Sequence, residues 1–307
     1  MKLVITGVRG FIGSNLALHL ASKGHEIVGL ARVGENTRFG EVDLNSGELY
    51  KNSKKKFSKF LADTDVIIHL GGKRQDNSNI FLKDFLNHNV IHTENLVMQA
   101  LECGVKKIIF ASTIIACPLS SQVPYQEYCL EFPDTMYGIS KRLTEYVIDL
   151  HTKESNCIGL SLRLAQVFGN TEKNNSVLHY FIKQAQEKNI INVYGNGAAV
   201  RDYIYIKDVI SAFEAALLSD TPSGVYNIGS DQGYSIKELA SAVSEVYLDG
   251  NESIKYMPVQ NEDQTCYVMD CTRARKHLKW QPGWSLKEAL LDMKTTNNLS
   301  HARGIST

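Results

Sequence analysis

A tyrosine four residues ahead of a lysine forms a proton-transfer pair when both sit on a helix, because that step puts the two side chains on one face. A phenol gives up its proton near neutral pH only when its pKa is lowered, and a neighbouring ammonium lowers it. Such a pair suits a reaction in which a hydroxyl proton is taken or returned while a hydride moves at the same carbon. The spacing occurs at Tyr50 and Lys54, at Tyr137 and Lys141, and at Tyr203 and Lys207. Flanking sequence selects the second. The segment Pro133-Asp134-Thr135-Met136-Tyr137-Gly138-Ile139-Ser140-Lys141 opens a helical pattern reaching about Leu150, and it follows a strand-like run ending in Ala111-Ser112-Thr113.

A hydride needs a carrier, and the amino terminus offers a place for one. Thr6-Gly7-Val8-Arg9-Gly10-Phe11-Ile12-Gly13 stands between an apolar strand-length run and the helical pattern 11–22. Glycine admits positive φ and close backbone approach, so the amides of the new helix can face a pyrophosphate whose charge complements the helix amino terminus. Gly7, Gly10, Phe11, Ile12 and Gly13 are the expected pyrophosphate contacts. The glycines are spaced G-x-x-G-x-x-G rather than G-x-G-x-x-G. At the end of the second strand-like run, where an acidic residue would bond the adenosine ribose of NAD, the chain reads Leu30-Ala31-Arg32. Arginine there suits a 2′-phosphate, so Arg32 favours NADP over NAD.

The elements that must position these groups follow from the apolar periodicity. Strand-length runs recur at residues 3–5, 26–30, 66–70, 107–111 and 159–164, separated mostly by longer helical stretches. That alternation predicts an α/β fold with a Rossmann-type doubly wound parallel sheet, and consecutive β-branched residues such as Val66-Ile67-Ile68 fit a sheet covered on both faces. After Gln166 the rhythm changes to a polar loop over 169–176, a helix over 177–188 and the turn Tyr194-Gly195-Asn196-Gly197. Residues 201–218 read as a strand and an amphipathic helix. The expected organisation is a dinucleotide-binding domain of residues 1–165 plus about 201–230. A smaller, discontinuous carboxy-terminal substrate lobe takes about 166–200 plus 231–307. The tail after Thr295 reads as frayed.

Composition excludes other classes. The chain of 307 residues has 33 basic and 33 acidic side chains, which leaves no electrostatic footprint for nucleic acid or an anionic membrane. No apolar run reaches membrane-spanning length and no secretory leader pattern opens the chain, so a cytoplasmic protein is expected. The six cysteines are scattered without a C-x-x-C pair. They read as buried small hydrophobes in a reducing compartment, with no metal site.

The glycine spacing resembles the turn of the short-chain dehydrogenase/reductase superfamily, in particular its extended branch of NAD(P)-dependent nucleotide-sugar epimerases and dehydratases. Recurrent blocks of that branch are matched at residues 163–169, 193–209 and 225–230, and its closing pattern at 270–276 and 280–282. The resemblance implies that Thr113 binds the reacting oxygen and that Tyr137 and Lys141 are catalytic and also touch the cofactor. It implies an adenine contact at Asp43 and Leu44, a strand end passing under the cofactor at Leu70, Gly71 and Gly72, and a helix asparagine at Asn89. The substrate implied is a nucleotide-diphosphate sugar, with Arg201 a phosphate contact. Two positions depart from the pattern of many epimerases. Gln166 stands where they have asparagine, and Gln260, ahead of Asp263, stands where they have a second phosphate arginine. The pyrophosphate grip is therefore expected to differ at these residues.

Sugar-nucleotide dehydratases of this branch carry Asp-Glu after the strand-end threonine, and here those positions are Ile114 and Ile115. Elimination of water needs an acid and a base, so reduction and epimerisation remain. Arg32 tilts the choice toward NADPH-dependent reduction of a 4-keto-6-deoxy sugar nucleotide. Redox-neutral 4-epimerisation with retained NAD(P) is the alternative, and a non-catalytic cofactor-binding regulatory protein is the third reading. By analogy with the branch, a homodimer formed through the helices spanning 89–103 and 136–151 is expected.

Overall fold

The computed structural model describes residues 1–33, 38–41, 59–74, 81–118, 123–129, 131–170, 172, 176–248 and 253–302; the side chains of 32, 33, 38–41 and 297–302 lie outside that description. Strand β1 (Lys2–Thr6) leads into helix α1 (Phe11–Ser22), followed by β2 (Glu26–Val33), β3 (Arg38–Glu41) and β4 (Val66–His69). A continuous helical stretch comes next, built from α2 (Leu82–Phe85), a π-helical segment (Leu86–Ile91) and α3 (His92–Glu102). Then come β5 (Lys107–Thr113), a short 3₁₀ turn (Ile114–Ala116), α4 (Met136–Lys153) and β6 (Ile158–Leu164).

The second half contains β7 (Gln166–Phe168), α5 (Val177–Lys188), β8 (Ile191–Tyr194), β9 (Val200–Arg201), β10 (Tyr203–Tyr205) and α6 (Ile206–Leu218). It continues through β11 (Gly224–Ile228), β12 (Tyr234–Ser235), α7 (Ile236–Tyr247), β13 (Ile254–Met257) and β14 (Cys266–Tyr267), and ends with α8 (Thr272–Leu278) and α9 (Leu286–Ala302).

The main sheet runs β11-β6-β5-β4-β1-β2-β3. Its pairings are parallel except for β3 on β2. From β1 the chain first moves outward to β2 and later returns to the other side of β1 as β4, so the winding reverses between β1 and β4. A doubly wound sheet opens a ligand crevice at the carboxyl ends of the strands flanking such a reversal. Successive strand residues feed opposite cores. Leu3, Ile5, Ile68 and Ile109 pack into one cluster with α1 and α6, while Val4, Ile67, Ile108 and Phe110 pack into another with Leu96, Val97 and Ala100 of α3. This two-sided burial explains why the strands read as unbroken apolar runs rather than as alternations.

Three small sheets, β10-β7, β12-β9-β14 and β13-β8, lie outside the main one. Helix α5 packs on α7, and α7 on α9. Two expectations fail here. The tail does not fray beyond Thr295, because α9 continues to Ala302. Its inner face is buried at Leu286, Ala289, Leu290 and Met293, and Thr295 and Thr296 each donate their hydroxyl to the carbonyl four residues back. The cysteines are not uniformly buried either: Cys103 is exposed, and Cys129 and Cys266 are half-buried. Among the described residues no helix is long and apolar enough to cross a membrane.

Candidate active site

The turn at the carboxyl end of β1 is fixed by backbone contacts that leave no room for side chains. Gly7 adopts φ +73°, and a Cβ on it would lie 2.8 Å from the Gly71 nitrogen, where β4 ends. A Cβ on Gly13 would lie 2.3 Å from the Gly7 carbonyl oxygen, so α1 starts as close to β1 as backbone allows. Gly10 is the N-cap of α1 and offers no capping side chain, and no acidic residue occupies the first turn. The leading amides of α1 thus face neither a competing side-chain acceptor nor a repelling carboxylate. This cradle fits a dinucleotide pyrophosphate.

Beneath the turn, a chain of hydrogen bonds ties β1 and β4 to the helix behind them. Thr93 donates to the Asn89 carbonyl at 2.5 Å, so it accepts from His69 Nε2 at 2.9 Å. His69 Nδ1 then accepts from the Thr6 hydroxyl at 2.6 Å. The Gly71 amide donates to the same Thr6 oxygen at 3.2 Å. His69 is therefore the neutral Nε2–H tautomer in this network, and its donors and acceptors lock the β4 exit in position.

Asn89 is buried within the π-helical segment and faces that exit. Its Oδ1 accepts from the Lys73 amide at 2.6 Å, and its Nδ2 donates to the Lys73 carbonyl at 3.0 Å and to Ser140 Oγ at 3.0 Å. Through Ser140 the contact reaches α4. A π turn inserts a residue into the helix and re-aims its side chains, and here it lies where the asparagine meets the β4 loop.

Helix α4 begins at a capping threonine, Thr135, whose side chain accepts from the Gly138 amide at 2.9 Å. Close approach fixes the start of α4 against the preceding turn: a Cβ on Gly138 would lie 2.2 Å from the Ile115 carbonyl oxygen. Strand β5 ends at Thr113, whose side chain caps the 3₁₀ turn by accepting from the Ile115 amide at 3.4 Å. Tyr137 and Lys141, one turn apart on α4, and Thr113 then line a single cleft of about 1270 Å³. Lys141 is buried. Its Nζ donates to the Ala111 carbonyl at 2.7 Å, lies 4.3 Å from the centre of the Phe110 ring and 6.0 Å from that of the Tyr137 ring.

The electrostatics differ from the expectation that Lys141 lowers the Tyr137 pKa. Burial pushes the Tyr137 phenol up, opposed by the Arg74 charge. Burial likewise brings Lys141 down to about 7, against the pull of Glu145. Desolvation is the largest cause for both groups, and Lys141 is poised to change protonation near neutrality. Arg74, which also lines the cleft, had no signature in the sequence.

The cleft gathers most of the residues singled out from sequence: Gly7, Gly10, Phe11, Ile12, Gly13, Leu70, Gly71, Gly72, Gln166 and Arg201 line it together with the three above. Asn89 stands behind the wall and holds it. Arg32 lies on β2, with its side chain outside the described residues, as are Asp43 and Leu44 altogether. Of the other tyrosine–lysine spacings, Tyr50 and Lys54 are also outside the described residues. Tyr203 is on a strand, and Lys207 pairs with Asp292 at 2.8 Å.

On the opposite wall, Arg201 donates to the carbonyls of Val200 and Thr265 and to Asp263 at 2.7 Å, and its guanidinium lies 4.7 Å from the centre of the Tyr267 ring. Partial burial pushes the Asp263 carboxyl up, yet the bonds from Thr265 and the Arg201 charge together hold it below the usual carboxylate range. This carboxylate neutralises the guanidinium expected to meet phosphate. Gln260 is exposed and does not line the cleft, so the structure does not bring it together with the other expected contacts.

The family profile described as NAD dependent epimerase/dehydratase matches residues 3–229. The chain belongs to that family. Among curated relatives, a UDP-glucose 4-epimerase of Bacillus subtilis is 27% identical over 333 residues, spanning 95% of this chain and 95% of the relative. A dTDP-4-dehydro-6-deoxyglucose reductase of Escherichia coli is 27% identical over 299 residues, covering 91% and 92%. The fold matches that of UDP-N-acetylglucosamine 4-epimerase from Bacillus cereus with a TM-score of 0.81 at 23% identity, over 100% of this chain and 98% of the other. As a member of the NAD dependent epimerase/dehydratase family, the chain is an enzyme with a Rossmann-type core.

Proposed function

We propose that this member of the family transfers a hydride at C4 of a nucleotide-diphosphate sugar, and that its main reaction is the NADPH-dependent reduction of a 4-keto-6-deoxy sugar nucleotide. The observation that carries the reading is the convergence of Thr113, Tyr137 and Lys141 on one cleft whose other end is the glycine cradle. When bound, the nicotinamide supplies the hydride. The protein's own groups do the rest. Thr113 donates a hydrogen bond to the carbonyl oxygen at C4, Tyr137 gives that oxygen its proton, and Lys141 orients the ribose and stabilises the phenolate left behind. Arg201 contacts the diphosphate and Gln166 the sugar-nucleotide. Ile114 and Ile115 line the cleft beside Thr113, and their apolar side chains offer no acid or base for elimination of water.

Arg32 supports NADP over NAD, and the similarity to a dTDP-4-dehydro-6-deoxyglucose reductase is consistent with reduction. Redox-neutral 4-epimerisation is the second reading. It is favoured by the similarity to UDP-glucose 4-epimerases and by the fold shared, at a TM-score of 0.79, with a Bacillus cereus UDP-glucuronic acid 4-epimerase in complex with UDP-glucuronic acid and NAD. The same three residues would serve it reversibly. The deciding experiment incubates the purified enzyme with 4-keto-6-deoxy and ordinary nucleotide sugars, with and without NADPH. Stoichiometric loss of NADPH supports reduction. Isomerisation without net loss replaces it with epimerisation.

In this reading residues 1–165 with about 201–230 form the dinucleotide-binding domain and about 166–200 with 231–307 the substrate-binding lobe, with Thr113 and Arg201 reaching the sugar nucleotide from the first. Homodimerisation through α3 and α4 is the matching assembly. Apolar side chains on these helices are left in solvent, with Met98 46% and Leu150 71% exposed, and Leu143 and Tyr146 exposed as well. This exposure supports association through these helices.

A further inference from the structure

Behind the cleft wall that carries Thr113, two cysteines twelve residues apart in sequence meet. Cys117 Sγ and Cys129 Sγ lie 3.1 Å apart and share a hydrogen bond. Each sulfur also accepts from a guanidinium: Arg142 Nη1 reaches Cys129 at 3.0 Å, and Arg163 Nη1 reaches Cys117 at 3.2 Å. Arg142 further holds the Cys129 carbonyl at 2.8 Å. Arg163 is fully buried and its remaining nitrogens bind both oxygens of Glu145, at 2.9 and 2.7 Å. Cys129 is half-buried and Cys117 lines the cleft.

A thiolate is the reactive form of cysteine, and cations beside the sulfur stabilise it. The Cys117 thiol is pushed up by its bond to Cys129 and by burial. Cys129 is held below the usual thiol range by its bond with Cys117 and by Arg142, against the burial that opposes them. A reactive thiolate in contact with a resolving thiol is the arrangement of a redox-sensitive pair.

We propose that Cys117 and Cys129 form a reversible oxidation site, in which a hydroperoxide converts the dithiol to a disulfide that tethers the cleft wall to the segment 123–129. The Cys129 thiolate attacks the distal peroxide oxygen, giving a sulfenic acid and, after protonation, water or an alcohol. The Cys117 thiol then attacks the sulfenic sulfur; its proton leaves with the hydroxide as a second water and the disulfide bond forms. Both sulfurs are oxidised by one electron each, and the two-electron reductant of the reverse step is an external dithiol. Cys117 donates its amide to the Ile114 carbonyl at 3.0 Å, closing the turn that begins at Thr113, so the cross-link fixes that turn.

The test uses the full chain, treated with about one equivalent of hydrogen peroxide at pH 6, blocked with N-ethylmaleimide and mapped by mass spectrometry without reduction. The Cys117 and Cys129 peptides are expected to be linked, and released by dithiothreitol, with amide exchange at Ile115, Ala116 and Cys117 slowed about tenfold or more in the oxidised form. Arg142→Gln is expected to slow formation about tenfold by removing the charge-assisted donor to the thiolate. Peroxide that oxidises exposed Cys103 without linking the pair would overturn the proposal, as would linkage at an unchanged rate in Arg142→Gln. These readouts do not depend on which sugar the enzyme turns over.

Discussion

The carboxamide of Asn89 clasps the main chain of Lys73 with both of its polar atoms, at 2.6 and 3.0 Å. This contact makes a helix residue responsible for the shape of the loop that leaves β4 under the cleft. Replacing Asn89 by Ala strands the part-buried amide and carbonyl of Lys73, which costs about 1 kcal/mol or more. Urea denaturation should record that loss, and dinucleotide affinity should fall while substrate KM changes less. Wild-type stability in Asn89→Ala would show that the loop holds itself.

Lys141 gives the stability of the fold a pH dependence of known sign. An unfolded lysine titrates near 10.5, whereas buried Lys141 titrates at about 7. Below about 7 both states carry the proton and the cost of burying the ammonium is present in full. Between about 7 and 10.5 only the unfolded chain holds it, so this group adds up to about 1.4 kcal/mol of stability per pH unit as pH rises. Denaturation of the wild type and Lys141→Met at pH 6, 7, 8 and 9 should show the wild type gaining on the variant above pH 7. Parallel pH profiles would remove the buried ammonium from the account.

If Arg201 meets the diphosphate, Asp263, which pairs with it at 2.7 Å, competes for the same guanidinium. Asp263→Asn should release the guanidinium and tighten binding of a nucleoside diphosphate by about two- to fivefold, the scale of a partly exposed ion pair. Titration calorimetry with UDP and dTDP reads this directly. Weaker binding in the variant would mean that Asp263 orients the arginine rather than neutralising it.

If α3 and α4 pair two protomers, Leu150→Glu should disperse them. Sedimentation at micromolar concentration should give a dimer for the wild type and a monomer for the variant. A monomeric wild type would end this part of the proposal.

Much of this architecture was legible in the sequence because it rests on local rules. The β1 run, the glycine turn and the helix 11–22 are each specified by residues adjacent in the chain, and their observed bounds agree. The tyrosine–lysine pair was selected because a strand end and a helix start flank it. What escaped depends on three-dimensional burial. Nothing near Lys141 in sequence tells how far it is desolvated, and nothing near Tyr137 predicts that burial raises its phenol with Arg74 as the opposing charge. Gly138 was visible as a residue but not as the point where α4 touches the Ile115 carbonyl. Arg163 gave no hint of its buried bond to Glu145, nor Cys117 of Cys129, because those partners come from different elements. Gln260 misled for the opposite reason: its place in a motif was readable, but its exposed position was not.

The proposed role of Tyr137 as proton donor when a hydride moves at C4 is tested by single-turnover conversion of a 4-keto-6-deoxy nucleotide sugar by Tyr137→Phe with saturating NADPH. The expected rate is about 10²–10⁴-fold below wild type with cofactor affinity preserved. A variant that converts the sugar at the wild-type rate would contradict it.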